Sequence, residues 1–402
     1  MTEITALTPA GMEPLYDRFR SVATMRAGDV VYMSGALGVD DALQPLEGRE
    51  AQYTRAFQNQ ERLLDAVGAT WNDVVALNSY HTDMRDIPLM FKIKDRFITR
   101  NYPTWTAVAV PFLRLPGQII ELRCFVDFGQ PKEYLVPPGQ ESHLDSFHYT
   151  PVIRIGDKVY MTGQVGISDD LKLLEGRVAQ DVQMYENIKR LLAVADATFD
   201  DVVQRESFHL DTREGWFPTR FGDGPPVDLL SINDRYFTNP NYPAWTGVGV
   251  RALGPPDMPH MMEEMQCFAI RNRPREFITP PGHENHVENF HYTPVVKVDG
   301  TLYMTGQVGI DADLRSVDGR EAHISQAFDN QQKLLDAGGV GWDSVVEIVS
   351  YHTDLRDFDL FFEVAERYLG DHRPTLTPLG TTALGTIDMP QTMLEIKCEA
   401  VR

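Results

Sequence analysis

The segment YMTGQVGI at residues 160–167 decides how this chain is organised, because it returns unchanged at residues 303–310. A looser copy, YMSGALGV, occupies residues 32–39. Three further markers follow each copy in the same order: an acidic-Gly-Arg turn, a Ser-x-His-x-Asp segment and a Glu-x-x-Cys segment. Self-similarity in a constant order indicates tandem copies of one unit. Each copy is far longer than a solenoid repeat, so we expect three complete domains.

The domain boundaries are expected near residues 130 and 274, which gives domains at 1–130, 131–274 and 275–402. The first domain has a divergent N-terminal hairpin. The second carries extra residues near 214–227, where glycine and proline are frequent. That composition favours a surface loop insertion over a helix or strand.

Hydrophobic spacing predicts the same order of elements in every copy: a β-hairpin, a helix, a strand, a second helix and two more strands. This mixture indicates an α+β class. In the first copy the predicted strands cover 30–34, 74–82, 106–111 and 118–126, and the predicted helices cover 49–66 and 89–97.

Composition narrows the possible partners. The chain has 37 Lys and Arg against 58 Asp and Glu, a formal net charge of −21, and no basic cluster. Nucleic-acid binding requires a basic surface, so we expect no nucleic-acid partner.

The three cysteines form no CxxC pair, which argues against a disulfide framework or a zinc site. With no long apolar run and no basic leader, we expect a cytoplasmic protein with no membrane partner.

Taken together, these markers resemble the Rid (reactive intermediate deaminase) family, also called YjgF or L-PSP. The resemblance implies chorismate-mutase-like α+β domains, each a mixed sheet with two helices on one face, and trimers with clefts between subunits. Three fused copies would then close as an intramolecular pseudo-trimer, with further self-association left open. The matching positions are Ser34, Thr162 and Thr305 in the first motif, Asn59, Asn187 and Asn330 in the helix, Asp83, Asp211 and Asp354 after the strand, and residues 394–396.

One departure from the family pattern bears on the substrate. Family deaminases hold a substrate carboxylate with the arginine of a Pro-Ala-Arg-Thr turn, and this chain has Trp105, Trp245 and Leu376 there. Losing the guanidinium removes a bidentate anion clamp, which argues against ordinary 2-imino acids. The flat indole instead predicts a flatter, less acidic ligand.

The resemblance assigns the catalytic role to a recurring glutamate, represented by Glu121, Glu264 and Glu395. Beside an apolar wall its pKa should rise, which suits general acid–base catalysis. His148 and His291 replace a family proline and add a group that titrates near neutrality. The alternatives are ordinary strand glutamates and histidines that cap a turn. The first repeat lacks this histidine and the tyrosine beside it, so at most two clefts should be complete.

The predicted substrate-binding residues come from the same motifs. They are Tyr149, Tyr292, Ser34, Thr162, Thr305, Trp105, Trp245, Leu376, Gln164 and Gln307.

No phosphate loop or metal motif is present, so neither a cofactor nor a metal is expected.

Three other recurring groups are interpreted as structural. The Ser, His and Asp of each Ser-x-His-x-Asp segment share one strand face, where their spacing should keep them beyond the contact distance that a catalytic triad needs. The cysteines should be small buried apolar groups. The arginines of the turns, Arg49, Arg177 and Arg320, should form salt bridges between repeats, with an anion clamp as the alternative. His143 and His286 also recur, without an assigned role.

The sequence therefore favours a divergent Rid-type enzyme. It would deaminate or hydrolyse an imine, an enamine or a related small planar C–N compound with water, in clefts between domains. The alternative is a metabolite-binding or regulatory protein that has kept the fold and lost the chemistry.

Overall fold

The computed structural model describes residues 2–210, 229–238, 242–385, 389 and 391–402, with the side chains of residues 142, 143 and 145 outside the description. The predicted loop insertion near 214–227, Asp211 and the side chain of His143 lie outside the described residues. Among the described helices, none combines the length and the apolar character that a bilayer span needs.

The described residues form three mixed sheets, each with helices packed against it. The first repeat contains β1 Ile4–Leu7, α1 Glu13–Arg18, β2 Thr24–Ala27, β3 Val30–Met33, β4 Ala36–Leu37, α2 Arg49–Ala66, β5 Val74–His81, α3 Ile87–Phe97, β6 Thr104–Ala109 and β7 Ile120–Asp127. The second contains β8 Lys132–Leu135, α4 Glu141–Phe147, β9 Val152–Ile155, β10 Lys158–Met161, β11 Gln164–Val165, α5 Arg177–Val194, β12 Val202–His209, α6 Leu229–Asn233, β13 Ala244–Gly249, β14 Ala252–Leu253 and β15 Glu263–Ile270. The third contains β16 Glu276–Ile278, α7 Glu284–Phe290, β17 Val295–Val298, β18 Thr301–Met304, β19 Gln307–Val308, α8 Arg320–Gly338, β20 Val345–His352, α9 Phe358–Leu369, β21 Thr375–Gly380 and β22 Leu394–Val401.

The strand order repeats from sheet to sheet. In the first it runs β1-β2-β3-β7-β5-β6-β14, and only the β5–β6 pair among these is parallel. The second and third sheets have the same central order, with the parallel pairs β12–β13 and β20–β21. Strand β14 belongs to the second repeat but extends the first sheet, where Ala252 pairs with Ala109. Backbone hydrogen bonds thus join the second repeat to the sheet of the first.

A buried asparagine in each long helix holds the strand that follows the first motif. The Nδ2 of Asn59 in α2 donates to the carbonyls of Leu37 at 2.8 Å and Val39 at 3.1 Å. Asn187 and Asn330 make the same two bonds in the other repeats. An unpaired buried carbonyl is costly, so this amide secures the position of the strand. The recurrence of asparagine thereby has a structural cause.

The predicted order of elements is confirmed. Helix α2 has the predicted bounds, and α3 begins two residues before the predicted start, with Pro88 in its first turn, where proline needs no backbone donor. Sequence analysis did not predict the short helices α1, α4 and α7. Their six or seven residues are too few to show a clear apolar period.

Candidate functional site

Three seams join the repeats, and each is marked by a hydroxyl from the first motif. In each seam this oxygen accepts a hydrogen bond from a backbone N–H of another repeat. The bonds run from Trp105 N to Thr162 Oγ1 at 3.1 Å, from Trp245 N to Thr305 Oγ1 at 3.0 Å and from Leu376 N to Ser34 Oγ at 2.8 Å. We call these places seam 1–2, seam 2–3 and seam 3–1.

The same hydroxyls also donate, each to a backbone carbonyl of its own repeat. Thr162 donates to the carbonyl of Thr150 at 2.9 Å, and Thr305 donates to that of Thr293 at 2.8 Å. Ser34 donates to the carbonyl of Val22 at 2.6 Å. Their primary role in the structure is to join strands, and their predicted role in substrate binding stays a prediction.

Each recurring glutamate places its carboxyl group against the glycine of the first motif. A Cβ on that glycine would lie 1.8 Å from Glu121 Oε1 at Gly35, 2.2 Å from Glu264 Oε1 at Gly163 and 2.0 Å from Glu395 Oε1 at Gly306. Real atoms do not approach so closely. Glycine is therefore required because the carboxyl group occupies the space of a side chain.

Burial changes the acidity of two of these glutamates. It raises the pKa of Glu264 to about 8, opposed by a hydrogen bond from the backbone of Ala107 across seam 1–2. It also raises the pKa of Glu395 to about 8, helped by the negative charge of Glu206. Removing a carboxylate from water disfavours its charged form. Near neutral pH both side chains are mostly protonated and are able to donate a proton.

Glu121 has a different environment, because Arg114 forms a fully buried ion pair with it. Gln118 Nε2 donates to Glu121 Oε2 at 3.2 Å. Burial raises the pKa of Glu121, while Arg114 and Gln118 lower it. Arg114 also donates to the carbonyl of Leu376 at 3.3 Å and lies 5.2 Å from the ring centre of Phe19. These groups fill the space around the carboxyl group at seam 3–1.

Sequence analysis missed Arg114, which lies between strands β6 and β7 and belongs to none of the recurring motifs. Its signal was an isolated arginine near the motif glutamate, which is too weak to use without the structure.

The cavities at the seams also differ. A cavity of about 10 Å³ beside Leu376 is lined by Phe19 and does not reach Glu121, whereas the cavity at seam 2–3 measures about 70 Å³ and is lined by Glu395.

The seam 2–3 cavity brings together several of the predicted residues. Glu395, Tyr292, Trp245, Thr305 and Gln307 all line it. The phenol oxygen of Tyr292 lies 3.0 Å from His286 Nδ1, and Phe290 stacks on the Tyr292 ring at 6.1 Å between centres. Burial lowers the pKa of His286 to about 3, so its imidazole is neutral. His286, which sequence analysis left without a role, is thus part of the cavity.

Seam 1–2 repeats the aromatic stack and the glutamine hydrogen bond of this arrangement. Phe147 stacks on Tyr149 at 6.1 Å between ring centres. Burial raises the pKa of Tyr149, and the negative charge of Glu264 raises it further. The phenol of Tyr149 and the carboxyl group of Glu264 therefore lie near each other at this seam. Gln164 Nε2 donates to the carbonyl of Thr162 at 3.2 Å, as Gln307 does to that of Thr305 at 3.1 Å.

The two histidines predicted as catalytic form contacts with other groups instead of the glutamates. His148 Nδ1 lies 2.9 Å from the carboxylate of Asp95, and its ring stacks on Tyr102 at 5.1 Å. His291 forms the equivalent contact with Asp234 at 2.8 Å. Both adopt a left-handed backbone at the ends of α4 and α7. This geometry favours the turn-capping alternative, and a catalytic role stays a prediction.

The serine and histidine of each Ser-x-His-x-Asp segment are in direct contact, so the spacing argument against that contact was wrong. The Oγ–Nε2 distances are 2.8 Å for Ser79–His81, 2.8 Å for Ser207–His209 and 2.9 Å for Ser350–His352. Because the side chains lean toward each other along the strand, they meet at hydrogen-bond distance.

These pairs are nevertheless structural in the first repeat. Asp83 caps the next turn and pairs with Arg85, so it does not orient His81. Instead Trp105 Nε1 donates to Ser79 Oγ at 2.9 Å, as Trp245 Nε1 does to Ser207 Oγ at 2.8 Å. The serine fixes the orientation of the indole at the cleft.

The arginines of the turns bind within their own repeats, so the prediction of salt bridges between repeats was wrong. Arg49 pairs with Asp86 and Arg320 with Asp357, each in the same repeat. Arg177 lies 3.1 Å from Asp181 and 3.4 Å from Glu263. Each of these arginines is the first residue of the long helix of its repeat. There its guanidinium group reaches acidic residues of the same repeat.

The interpretation of the cysteines agrees with the structure. All three are free and buried, and burial raises each thiol pKa, which disfavours a reactive thiolate. The described residues also contain no group of three or more His, Cys, Asp or Glu arranged to hold a metal ion.

Comparison with known proteins connects this architecture to a family. The family model described as Endoribonuclease L-PSP matches residues 17–127, 142–271 and 285–402. The RutC family protein YjgH of Escherichia coli strain K12 is 36% identical over 115 residues, which are 28% of this chain and 88% of YjgH. Human 2-iminobutanoate/2-iminopropanoate deaminase is 28% identical over 95 residues, 23% of this chain and 69% of the relative.

A solved structure titled Protein YJGH is 31% identical and covers 32% of this chain and 99% of its own, with a TM-score of 0.30. The assignment rests on the family model, which matches most of the chain in three segments, one for each repeat. The chain therefore belongs to the Rid/YjgF/L-PSP family.

Proposed function

We propose that this chain is a hydrolytic deaminase of a small planar C–N compound, with catalytic clefts at seams 1–2 and 2–3. The observation that carries the proposal is the pair of buried glutamates, Glu264 and Glu395, whose pKa values are raised to about 8. A carboxyl group that is protonated near neutral pH can supply a proton and later accept one. Human 2-iminobutanoate/2-iminopropanoate deaminase, a relative of this chain, supports the reaction class.

In this mechanism the glutamate first donates its proton to the imine nitrogen. Water then adds to the carbon, and the carboxylate accepts the proton that the water loses. That proton passes to the amino group of the tetrahedral intermediate, the C–N bond breaks, and the hydroxyl proton returns to the glutamate. Imine and water are consumed, a carbonyl compound and ammonia are formed, and the glutamate ends protonated as it began.

The surrounding residues have distinct roles in the proposal. The oriented indoles of Trp105 and Trp245 provide a flat apolar wall. Tyr149 and Tyr292 with the neighbouring glutamines position the substrate. The seam 2–3 cavity of about 70 Å³ is small beside the ~300–1,000 Å³ of sites for drug-sized ligands, which supports a substrate of few heavy atoms.

We also propose that the three domains, at 1–130, 131–274 and 275–402, close as a pseudo-trimer. The three seam bonds support closure because they run from repeat 1 to 2, from 2 to 3 and from 3 back to 1. Heterologous contacts that return to their starting point are what a ring requires. In this ring the Arg114–Glu121 pair gives seam 3–1 a structural role.

Ammonia release from a panel of imines, enamines and cyclic amides tests the activity. On any active substrate we expect Glu264→Gln and Glu395→Gln each to lower turnover, and the double variant to abolish it. Glu276→Gln is the matched control, because Glu276 is exposed on β16 and distant in sequence from the motifs. An undiminished rate in the double variant would refute the assignment.

A metabolite-binding function is the second candidate, favoured by the absence of the family arginine at Trp105, Trp245 and Leu376. The same panel separates the two. A compound that raises the melting temperature of the wild type, loses that effect in Glu395→Gln and releases no ammonia would support binding without catalysis.

A further inference from the structure

A larger cavity of about 540 Å³ lies between the three sheets and is lined by residues of all three repeats. None of the glutamates, indoles or motif hydroxyls of the seams lines it. Its volume is within the range usual for small-molecule sites. It is therefore a separate space, large enough for a ligand.

Aromatic rings form much of its wall. Tyr32, Tyr160 and Tyr303 occupy equivalent positions in the three repeats, and each is the first residue of a first-motif copy. Phe125 packs against Tyr32 at 5.8 Å between ring centres, and Phe268 lies 4.9 Å from Tyr160 and 5.6 Å from Tyr303. The faces of such rings attract organic cations.

The inner end of the cavity carries more acid than base. Arg123 is paired with Glu347 and lies 3.8 Å from Glu206. Lys397 is paired with Glu206 and lies 3.8 Å from Glu399. Three carboxyl groups thus face two cations, and because burial raises the pKa of Glu399 to about 7, the excess of negative charge at this end is partial near neutral pH.

Two buried acceptors of this inner end have no donor. Glu206 uses Oε1 for Lys397, while its Oε2 has no hydrogen-bond partner. Asn78 donates from Nδ2 to Gln266 at 3.1 Å, while its Oδ1 is also without a partner. Both residues line the cavity and are 6% and 1% exposed. Buried polar atoms normally have partners, so these two indicate a missing N–H donor.

The outer end is acidic as well. Asp29, Asp157 and Asp299 line it with Arg273, which lies 2.8 Å from Asp157 and 3.5 Å from Asp299. Lys158 also lines the cavity, where it is paired with Asp127, so the carboxylates still outnumber the cations at this end and favour the entry of cations over anions.

We propose that this cavity binds a small organic cation whose ammonium group donates hydrogen bonds to Glu206 Oε2 and Asn78 Oδ1. Its carbon skeleton packs against the aromatic wall of Tyr32, Tyr160 and Tyr303. The aromatic wall, the acidic outer end and the unpaired acceptors are independent observations that fit the same ligand chemistry. The site does not depend on the seam chemistry and would remain if no substrate were turned over.

Isothermal titration of the full chain with n-butylammonium tests the proposal, with butanoate and 1-butanol as probes of similar size and different charge. We expect saturable binding of butylammonium alone. Glu206→Gln should weaken it at least tenfold, because the carboxylate charge is lost. Asn78→Asp should tighten it several-fold, because a second carboxylate replaces an amide.

The double variant Glu264→Gln/Glu395→Gln locates the binding, since it leaves this cavity unchanged and should bind butylammonium as the wild type does. Loss of binding in that variant would place the ligand at the seams and overturn the proposal. Equal binding of 1-butanol, or no binding of butylammonium, would overturn it as well. If Glu206→Gln does not fold, the direction of the Asn78→Asp effect decides.

Discussion

Gly163 shows how one residue of the first motif serves the candidate site without a side chain. The carboxyl group of Glu264 lies where the Cβ of any other residue would be. The same contact joins Gly35 to Glu121 and Gly306 to Glu395. The recurrence of glycine in the motif thus follows from the recurrence of the glutamate on a neighbouring strand.

This contact leads to an expectation for Gly163→Ala. The added methyl group must displace the carboxyl group, which costs about 1–3 kcal/mol of stability and lowers turnover at seam 1–2. Gly35→Ala is the matched control, because its added Cβ would lie 1.8 Å from Glu121 Oε1 at seam 3–1, against 2.2 Å from Glu264 Oε1 for Gly163→Ala. We expect both variants to lose stability in urea denaturation, but only Gly163→Ala to lose activity. Equal loss of activity would contradict the separate roles of the seams.

The raised pKa of Glu395 makes stability depend on pH. Between its unfolded value of 4.5 and its folded value of about 8, the folded state holds a proton that the unfolded state has lost. The contribution is fully present below pH 4.5 and is lost as pH rises through about 8, by up to ~1.4 kcal/mol per pH unit.

We therefore expect Glu395→Gln to gain stability relative to the wild type as pH rises across this window. Thermal unfolding of both proteins from about pH 5 to about pH 9 measures the difference. Glu276→Gln serves as the control and should follow the wild type. Parallel curves for the wild type and Glu395→Gln would show that Glu395 keeps an ordinary pKa.

At the scale of elements, the long helices do more than cover the sheets. Asn330 in α8 bonds the carbonyls of Val308 and Ile310, and both of these residues line the seam 2–3 cavity. The helix thereby holds one wall of the candidate site at a fixed distance from the sheet.

Asn330→Ala should leave two buried carbonyls without a donor. We expect a loss of ~1–3 kcal/mol in the free energy of unfolding and a higher KM at seam 2–3. Gln332→Ala is the matched control, because Gln332 is half-buried on the same helix and donates to Asp336 at 2.7 Å. A KM that does not change would mean that the strand keeps its position without the amide.

At the scale of the whole molecule, fusion has allowed the three seams to differ. Identical subunits would place the same groups in every cleft, whereas here Arg114 and Phe19 fill seam 3–1 and a cavity remains at seam 2–3. Seam 3–1 is filled by protein side chains, while seam 2–3 retains space for a ligand.

The buried Arg114–Glu121 pair should therefore matter for stability alone. Arg114→Met leaves a buried carboxyl group without its partner, and we expect a loss of about 3–5 kcal/mol. Adding Glu121→Leu should recover most of it, because neither charge is then left unpaired. Turnover should be the same in the folded double variant and the wild type. A loss of activity in that variant would assign catalysis to seam 3–1.

Sequence analysis predicted the fold well where a pattern was both local and repeated. Helix α2 and the order of elements along the chain followed from apolar spacing that recurs three times. The Ser79–His81 contact was judged wrongly because the spacing of backbone positions along a strand does not report the lean of side chains. Arg114 was missed because its partner Glu121 is reached only through the turn of the chain between β6 and β7.

The amino-acid sequence by itself determined the threefold repetition, the α+β class and the recurring glutamate, since each is a pattern of residue types along the chain. Only the tertiary structure decided which glutamate is neutralised by an arginine, which histidine lies in a cavity and which indole is held by a serine. Those outcomes depend on burial and on distances of a few ångströms between segments far apart in the chain, and such distances leave no periodic trace in the sequence.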